Sequence, residues 1–335
     1  MKHFDEGFFD VKNFLLKREE FSYRNKDSAA ELYHVCYNVN DSYIYIMGAS
    51  IVSVLENNPN VSFVFHIFTD GYSEDSRQRI SSLAEQWHCD CILYQLNMKP
   101  FEDFHIKVAR FSRITYGRVY MPKILWGVTP RYIYMDADTM CVGSLSDLWH
   151  TDMQGAAMGA VSETPDTIAY RAGYLKLKSG KYFNDGVMLV DVNQWEKQKI
   201  TEKAFSYQNE PRKRFLGQSQ DVLNLVFDGT NYFLPRQYNK YGGVYHDTGD
   251  SIILHWTGRR KPWQMVVSEL DAQWRKYNAL SPWETITNIQ PVKEPKNYHD
   301  FKYWGQCCKD KGDFGDYLKG MFWYSILKIR YKLGM

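Results

Sequence analysis

Residues 32–56 read LYHVCYNVNDSYIYIMGASIVSVLE, and the fold class follows from this stretch. The apolar run over residues 32–39 has the length and composition of a buried strand. From residue 42 to residue 56 apolar side chains recur at helical spacing, until Asn57, Asn58 and Pro59 end the pattern. The stretch therefore predicts a strand followed by a helix.

The same unit recurs further along the chain. Strands are predicted at residues 61–68, 91–96, 132–135, 156–161, 187–192 and 252–255. Helices are predicted at residues 73–87, 109–126, 193–207 and 219–227. This alternation predicts an α/β fold with a parallel sheet and helices on both faces, in which ligands bind at the carboxyl ends of the strands.

Composition divides the chain into three parts. Residues 1–30 are polar, aromatic and weakly patterned, and we expect them to form an N-terminal extension docked on the first domain. Residues 31–265 contain the strand and helix pattern and predict one α/β domain. Beyond about Trp263 the segments are short and rich in Trp, Lys and Pro, so residues 266–335 are expected to form a small helical subdomain.

Charge and hydropathy narrow the class of protein. The formal net charge of +2 over 335 residues is too small to indicate a nucleic-acid partner. No stretch has the roughly 18 uncharged apolar residues of a membrane-spanning helix. Residues 1–10 contain Asp5 and Glu6 and do not resemble a secretion signal. We therefore expect a cytoplasmic protein.

The segment YIYMDADTM, residues 132–140, places two carboxylates directly after a predicted strand. In an extended chain residues i and i+2 point to the same side, so Asp136 and Asp138 can bind one divalent cation. Hard cations prefer oxygen ligands, and a diphosphate can complete the coordination shell. A D-x-D triplet is more often part of a solvated loop, but its position after a strand favours a metal site.

Residues 135–138 resemble the metal-binding motif of glycosyltransferase family 8. Further motifs that resemble this family follow its order, at residues 35–55, 115–118, 182–190, 218–224 and 255–263. The resemblance implies a Rossmann-like, GT-A type nucleotide-sugar-binding fold with a mixed, mostly parallel sheet. It also implies a metal-dependent, retaining enzyme that transfers glucose or galactose from a UDP-sugar.

The resemblance also implies which residues form the site. Asp136, Asp138 and His255 are expected to bind Mn²⁺ or Mg²⁺. Contacts to the UDP-hexose are expected from Asn38, Asn40, Ser42, Arg118, Asp136, Ala137, Asp138, Asn184, Asp185, Gly186, Gln220, His255, Gly258 and Lys261. Gly258 permits close backbone approach and Lys261 can neutralise a phosphate. Arg259 and Arg260 are interpreted as a solvated basic rim.

Three residues are candidates for the reaction itself, namely Gln220, Asp185 and Asp221. The family commonly has an aspartate where this chain has Ser219, so one candidate nucleophile is missing. Gln220 resembles the family residue near the reacting sugar carbon, but an amide is a poor nucleophile, and we expect it to stabilise the transition state. The lack of an obvious carboxylate nucleophile favours front-face attack by the acceptor hydroxyl.

Residues 319–335, KGMFWYSILKIRYKLGM, combine basic and aromatic residues and contain no acidic residue. Such a segment suits the surface of an anionic membrane, and a buried terminal helix is the alternative interpretation. The segment resembles the tail of lipopolysaccharide-core glucosyl- and galactosyltransferases. That resemblance implies a lipopolysaccharide core acceptor and peripheral attachment to the inner membrane.

Two other functions are compatible with the sequence. A glycogenin-like enzyme that glucosylates itself would carry sugar on one of its own tyrosines. A noncatalytic sugar- or nucleotide-binding protein is favoured if Asp138→Ala leaves transfer unchanged.

Overall fold

The computed structural model describes residues 4–5, 7–106, 112–208, 215–241, 249–258, 260–284 and 295–334. The strands are β1 Leu15–Ser22, β2 Leu32–Val39, β3 Ser62–Thr69, β4 Asp90–Leu96, β5 Arg131–Met135, β6 Thr139–Cys141, β7 Met158–Ser162, β8 Phe183–Asp191, β9 Tyr232–Leu234, β10 Lys240–Tyr241 and β11 Ile253–His255. The α-helices are α1 Val11–Phe14, α2 Ile44–Asn57, α3 Glu74–Gln86, α4 Met121–Leu125, α5 Ser146–Trp149, α6 Pro165–Leu175, α7 Val192–Lys197, α8 Ile200–Phe205, α9 Ser219–Val226, α10 Glu269–Ala279, α11 Tyr298–Asp310 and α12 Phe314–Lys332. Short 3₁₀ helices occupy Asp41–Tyr43, Lys99–Phe101, Arg113–Val119 and Arg236–Tyr238.

The main sheet has the strand order β1-β4-β3-β2-β5-β8-β7-β9. Strands β4, β3, β2 and β5 are parallel, and β9 is parallel to β7. Strand β8 runs antiparallel between β5 and β7, and β1 is antiparallel to β4. The predicted mixed, mostly parallel sheet is therefore confirmed. A second, smaller sheet is formed by β10, β11 and β6, and its strand β6 closely follows β5 in the chain.

The first strand and helix form as the sequence predicts. Alternate side chains of β2 pack on opposite faces of the sheet, because successive residues of a strand point to opposite sides. Val35 and Tyr37 belong to the core that includes residues of α2, and Cys36 belongs to the core on the other face. Both faces are thus covered, as expected for parallel strands.

Two predicted helices are wrong in detail. Residues 109–111 of the predicted helix 109–126 lie outside the described residues, and the described part contains a 3₁₀ helix, Arg113–Val119, followed by α4. Pro122 in the first turn of α4 has no N–H to continue the preceding hydrogen-bond ladder. The predicted helix 193–207 is divided into α7 and α8 at Lys199, which has a φ of 53°.

Residues near the N-terminus include a strand that the sequence analysis did not predict. Strand β1 pairs with β4 at the edge of the sheet. Just before it, the rings of Phe8, Phe9 and Phe14 contact Phe205 of α8. These contacts hold the segment against the α/β body.

The last helices differ in how they pack. Helix α10 packs on α2, and Trp274 and Trp283 lie in the same core as α2. Helices α11 and α12 form a hairpin, whose close crossing is possible because Gly305 and Gly320 meet without side chains. Among the residues that the structure describes, every helix is too short or too polar to cross a membrane.

Candidate active site

A crevice of about 400 Å³ opens at the carboxyl ends of β2 and β5. Its walls contain most of the residues that the sequence analysis selected, namely Asn38, Asn40, Arg118, Asp136, Ala137, Asp138, Asn184, Asp185, Gln220, His255, Gly258 and Lys261. Ser42 lies beside the crevice, where it donates a hydrogen bond of 2.8 Å to Asn40. Motifs that are far apart in the sequence therefore meet at one place.

Two carboxylates and one imidazole face each other in this crevice. Asp136 directly follows β5, and Asp138 directly precedes β6. Strand β11 pairs with β6 so that His255 lies opposite Thr139. Nε2 of His255 lies 3.2 Å from Oδ1 of Asp138 and 3.8 Å from Oδ2 of Asp136. One ligand atom from each of these three residues lies within 4.8 Å of the others, and such a mixed set suits Mn²⁺ or Mg²⁺.

Lys261 balances the charge of this cluster. Its ammonium group donates hydrogen bonds to Oδ2 of Asp138 and to the carbonyl of Trp256. Burial acts to raise the pKa of Asp138, but Lys261 and His255 outweigh burial and hold that pKa well below its ordinary value. Asp138 is therefore charged at neutral pH.

Arg118 links the cluster to the opposite wall. Its buried guanidinium lies 3.0 Å from Oδ1 of Asp136 and 2.8 Å from Oδ2 of Asp185, and it stacks over the ring of Tyr134 at 4.6 Å. Burial raises the pKa of Asp185 to about 6, since the charge of Arg118 offsets burial only in part. The guanidinium of Arg118 thus contacts both carboxylates, and burial brings the pKa of Asp185 toward neutral pH.

A bulge in β8 directs two adjacent side chains toward the crevice. The pairing of β7 with β8 shifts between Ala160 and Val161, which lie opposite Met188 and Asn184. In a regular strand Asn184 and Asp185 would point to opposite faces, but at this irregularity both line the crevice. The strand predicted at residues 187–192 therefore begins earlier, at Phe183, and Asn184, Asp185 and Gly186 lie inside β8.

Ser219, at the start of α9, contacts Asp185 of β8. The hydroxyl of Ser219 donates to Oδ2 of Asp185 at 3.0 Å and lies 3.1 Å from the hydroxyl of Thr115. Nearby, Nδ2 of Asn184 lies 3.4 Å from Oε1 of Gln220. The crevice therefore contains a carboxylate beside Ser219, and β8 supplies it.

The side chains of Asp221 and Arg260 form buried ion pairs and do not line the crevice. Asp221 is fully buried behind the crevice, where its carboxylate accepts hydrogen bonds from Tyr182 at 2.6 Å and from Arg171. Arg260 is buried against Asp271 at 2.6 Å. The predicted basic rim is thus wrong for Arg260, and Arg259 lies outside the described residues.

The crevice contains residues that the sequence analysis missed. Tyr43 exposes 39% of its surface at the wall. Gln218 is 8% exposed, and its Oε1 has no hydrogen-bond partner among the described residues. Its φ of 55° is unusual for a residue with a side chain, and such strain is concentrated at functional sites. The backbone angle of Gln218 cannot be predicted from a local sequence pattern. Tyr43, in contrast, follows closely after Asn38 and Asn40, and this position could have identified it.

Known proteins resemble this chain in sequence and in fold. The sequence model of Glycosyl transferase family 8 matches residues 34–266. A lipopolysaccharide 1,2-glucosyltransferase of Escherichia coli K12 is 28% identical over 282 residues, which span 80% of this chain and 81% of that protein. A lipopolysaccharide 1,3-galactosyltransferase of Salmonella typhimurium is 25% identical over 292 residues, with 82% and 85% covered. The crystal structure of galactosyltransferase LgtC with donor and acceptor sugar analogs matches with a TM-score of 0.67 at 20% identity, over 74% of this chain and 96% of that one.

Proposed function

This chain belongs to glycosyltransferase family 8 and is a sugar-transferring enzyme, and from that premise we propose that it transfers glucose or galactose from a UDP-hexose to the core oligosaccharide of lipopolysaccharide, with retention of configuration. The observation that carries the proposal is the convergence of Asp136, Asp138 and His255 at the crevice. The acceptor is proposed from the two lipopolysaccharide transferases that resemble this chain.

The diphosphate of the donor is proposed to bind between the acidic cluster and Lys261. A divalent cation held by Asp136, Asp138 and His255 supplies positive charge that offsets the charge developing on the leaving diphosphate. With a cation held by Asp138, the ammonium of Lys261 would be free to pair with a phosphate oxygen. Gly258, at a φ of 81°, lets the backbone approach the same phosphate closely.

The uridine is proposed to bind beside β2. Asn38 is buried at the wall of the crevice, and its Oδ1 has no hydrogen-bond partner in the described part of the chain. A buried acceptor without a partner fits the N–H of a uracil ring. The exposed ring of Tyr43 lies along the same wall and offers a face on which a base can stack. Asn40, paired with Ser42, is assigned to the ribose.

The hexose is proposed to lie between Arg118 and the bulged segment of β8. Asn184, Asp185 and Gln220 present amide and carboxylate groups that can bind its hydroxyls. We propose front-face transfer, in which the acceptor oxygen bonds to the anomeric carbon while the bond from that carbon to the diphosphate oxygen breaks. The proton of the acceptor hydroxyl passes to the leaving UDP. A covalent sugar on Asp185, trapped with a slow donor, would contradict this mechanism.

The surface of α12 supports attachment to an anionic membrane. Exposed apolar side chains form a stripe along one side of the helix, at Phe314, Leu318, Phe322, Ile329 and Leu333. At 100° per residue, Lys328 and Lys332 lie along one edge of this stripe, and Lys319 and Arg330 lie along the other edge. The opposite side, at Gly320, packs on α11. An apolar stripe between basic edges fits the interface of an anionic bilayer.

A transfer assay with defined acceptors tests the proposed function. The purified protein is incubated with UDP-glucose or UDP-galactose, Mn²⁺ and truncated lipopolysaccharides, and the linkage of the product is determined by NMR. We expect one of the two donors to give an α-linked product, with Asp138→Asn reducing the rate at least 100-fold and the exposed control Asp27→Asn unchanged. Undiminished transfer by Asp138→Asn, or addition of hexose mass to the protein itself, would contradict the proposal.

A further inference from the structure

We infer that Asn239 is a positioning residue that fixes the orientation and tautomer of His255, so that Nε2 faces the cation site with its lone pair. Asn239 is completely buried and lies between the 3₁₀ helix Arg236–Tyr238 and β10. It does not line the crevice and belongs to none of the motifs selected from the sequence. The inference rests on the proposed function, because it assigns His255 to a cation.

The chain of hydrogen bonds begins at Asn184, whose amide orientation is fixed from two sides. Its Oδ1 accepts the backbone N–H of Gly186 at 3.0 Å, and a backbone N–H can only donate. Its Nδ2 donates to the carboxylate of Glu163 at 3.0 Å, and a carboxylate can only accept. The oxygen and the nitrogen of this amide therefore cannot exchange places.

The fixed amide of Asn184 determines how Asn239 is oriented. Oδ1 of Asn184 lies 2.8 Å from Asn239, which must present its Nδ2 there. Oδ1 of Asn239 then lies 3.0 Å from Nδ1 of His255, and this oxygen requires a donor. Nδ1 of His255 consequently carries a proton, and in the neutral ring Nε2 is left free to bind a metal ion.

This hydrogen bond opposes the tautomer that the carboxylates favour. In the absence of a cation, Oδ1 of Asp138, 3.2 Å from Nε2, would favour a proton on Nε2. The buried oxygen of Asn239 competes by requiring the proton on Nδ1. Gly186 adds a steric constraint, since a Cβ at this position would lie only 2.7 Å from Nδ1 of His255. The ring therefore packs closely against Gly186 in the bulge of β8.

The affinity for Mn²⁺ and the nitrogen coordination of the bound ion test this role. Mn²⁺ binding to the purified full chain is measured by electron paramagnetic resonance, and ¹⁴N modulation of the bound ion reports the imidazole. Asn239→Leu removes the acceptor, and we expect the Kd for Mn²⁺ to rise about 10- to 100-fold with weakened ¹⁴N modulation. Asn239→Asp keeps an acceptor oxygen and should bind Mn²⁺ more tightly than Asn239→Leu does.

Control variants separate this role from folding and from transfer. Asn231→Leu changes a nearby asparagine, which donates to the carbonyl of Ala160, and should bind Mn²⁺ as the wild type does. Thermal unfolding without metal checks that each variant is folded. Wild-type affinity and ¹⁴N modulation in Asn239→Leu, or equal weakening in Asn239→Asp and Asn239→Leu, would overturn the inference. A wild type that binds Mn²⁺ through His255 but transfers no hexose would refute the proposed function and leave this inference standing.

Discussion

Nη1 of Arg118 lies 2.8 Å from Oδ2 of Asp185, while Nη2 of the same side chain lies 3.0 Å from Oδ1 of Asp136. Arg118 is 5% exposed, so its guanidinium is shielded from solvent where it pairs with these two carboxylates. The contact connects the bulged strand β8 to the acidic residue at the end of β5. The wall assigned to the hexose and the wall assigned to the cation are thus held at a fixed separation by one guanidinium.

Arg118→Met is expected to lower the free energy of unfolding by roughly 3–5 kcal/mol, because it leaves two carboxylates without their partner in a buried setting. Adding Asp185→Asn should regain part of this loss, since one of the two charges is removed, while hexose transfer stays absent. Urea unfolding of the two single variants and the double variant gives the coupling energy. Strictly additive effects would show that the two side chains do not interact.

Lys261→Met is expected to leave the Kd for Mn²⁺ unchanged or lower it, because the ammonium competes with the cation for Asp138. The kcat of transfer should nevertheless fall about 100- to 1000-fold, since the leaving diphosphate loses a charge partner. Metal titration and steady-state kinetics separate the two effects, and the exposed Lys203→Met serves as the matched control. A variant that binds Mn²⁺ poorly but transfers normally when saturated would refute this role.

Acidification is expected to destabilise the fold through two stacked histidines. Nδ1 of His34 lies 2.9 Å from Nε2 of His66, and burial lowers the pKa of His34 to about 4 and the pKa of His66 well below its ordinary value. The unfolded imidazoles bind protons near pH 6.5, so stability is present above that pH and is lost as the pH falls toward 4. The loss from His34 between pH 7 and pH 5 should be roughly 2 kcal/mol.

Urea unfolding at pH 7 and pH 5 measures this loss. In His34→Gln the difference between the two pH values should be smaller by about the same amount. His88→Asn changes an exposed histidine at a positive φ that asparagine tolerates, and it should behave like the wild type. A pH dependence in His34→Gln identical to that of the wild type would contradict the assignment.

Membrane attachment is expected to depend on the stripe of α12. The double change Phe322→Ser and Ile329→Ser removes two exposed apolar side chains and should weaken binding to phosphatidylglycerol vesicles at least tenfold. High salt should weaken wild-type binding, because the basic edges act electrostatically. Vesicle sedimentation measures both effects, with Tyr170→Ser, an exposed aromatic on α6, as the control. If the double variant binds vesicles as well as the wild type does, the stripe of α12 is not the membrane-binding face.

Sequence patterns predicted those parts of the molecule that depend on local periodicity. The strand and helix at residues 32–56 and the carboxylates after β5 lie where expected, because buried strands and amphipathic helices have distinct spacings of apolar residues. Edge strand β1 was missed, since its side chains are largely exposed and only its pairing with β4 defines it.

Other features depend on tertiary contacts that no local pattern records. The bulge that places both Asn184 and Asp185 at the wall of the crevice arises from the register of β7 against β8. The burial of Arg260 depends on Asp271, which lies in α10. Asn239 can orient His255 only because two segments that are distant in the sequence place the amide of Asn184 and the imidazole of His255 on either side of it.

The location of the bound cation tests the central claim most directly. Crystals grown with UDP and Mn²⁺ can be measured at the manganese absorption edge, where anomalous scattering identifies the ion without ambiguity. We predict one strong anomalous peak that lies between Oδ atoms of Asp136 and Asp138 and Nε2 of His255. The diphosphate of UDP should lie next to this peak. A peak elsewhere, or UDP bound in the crevice with no manganese beside these three residues, would contradict the account.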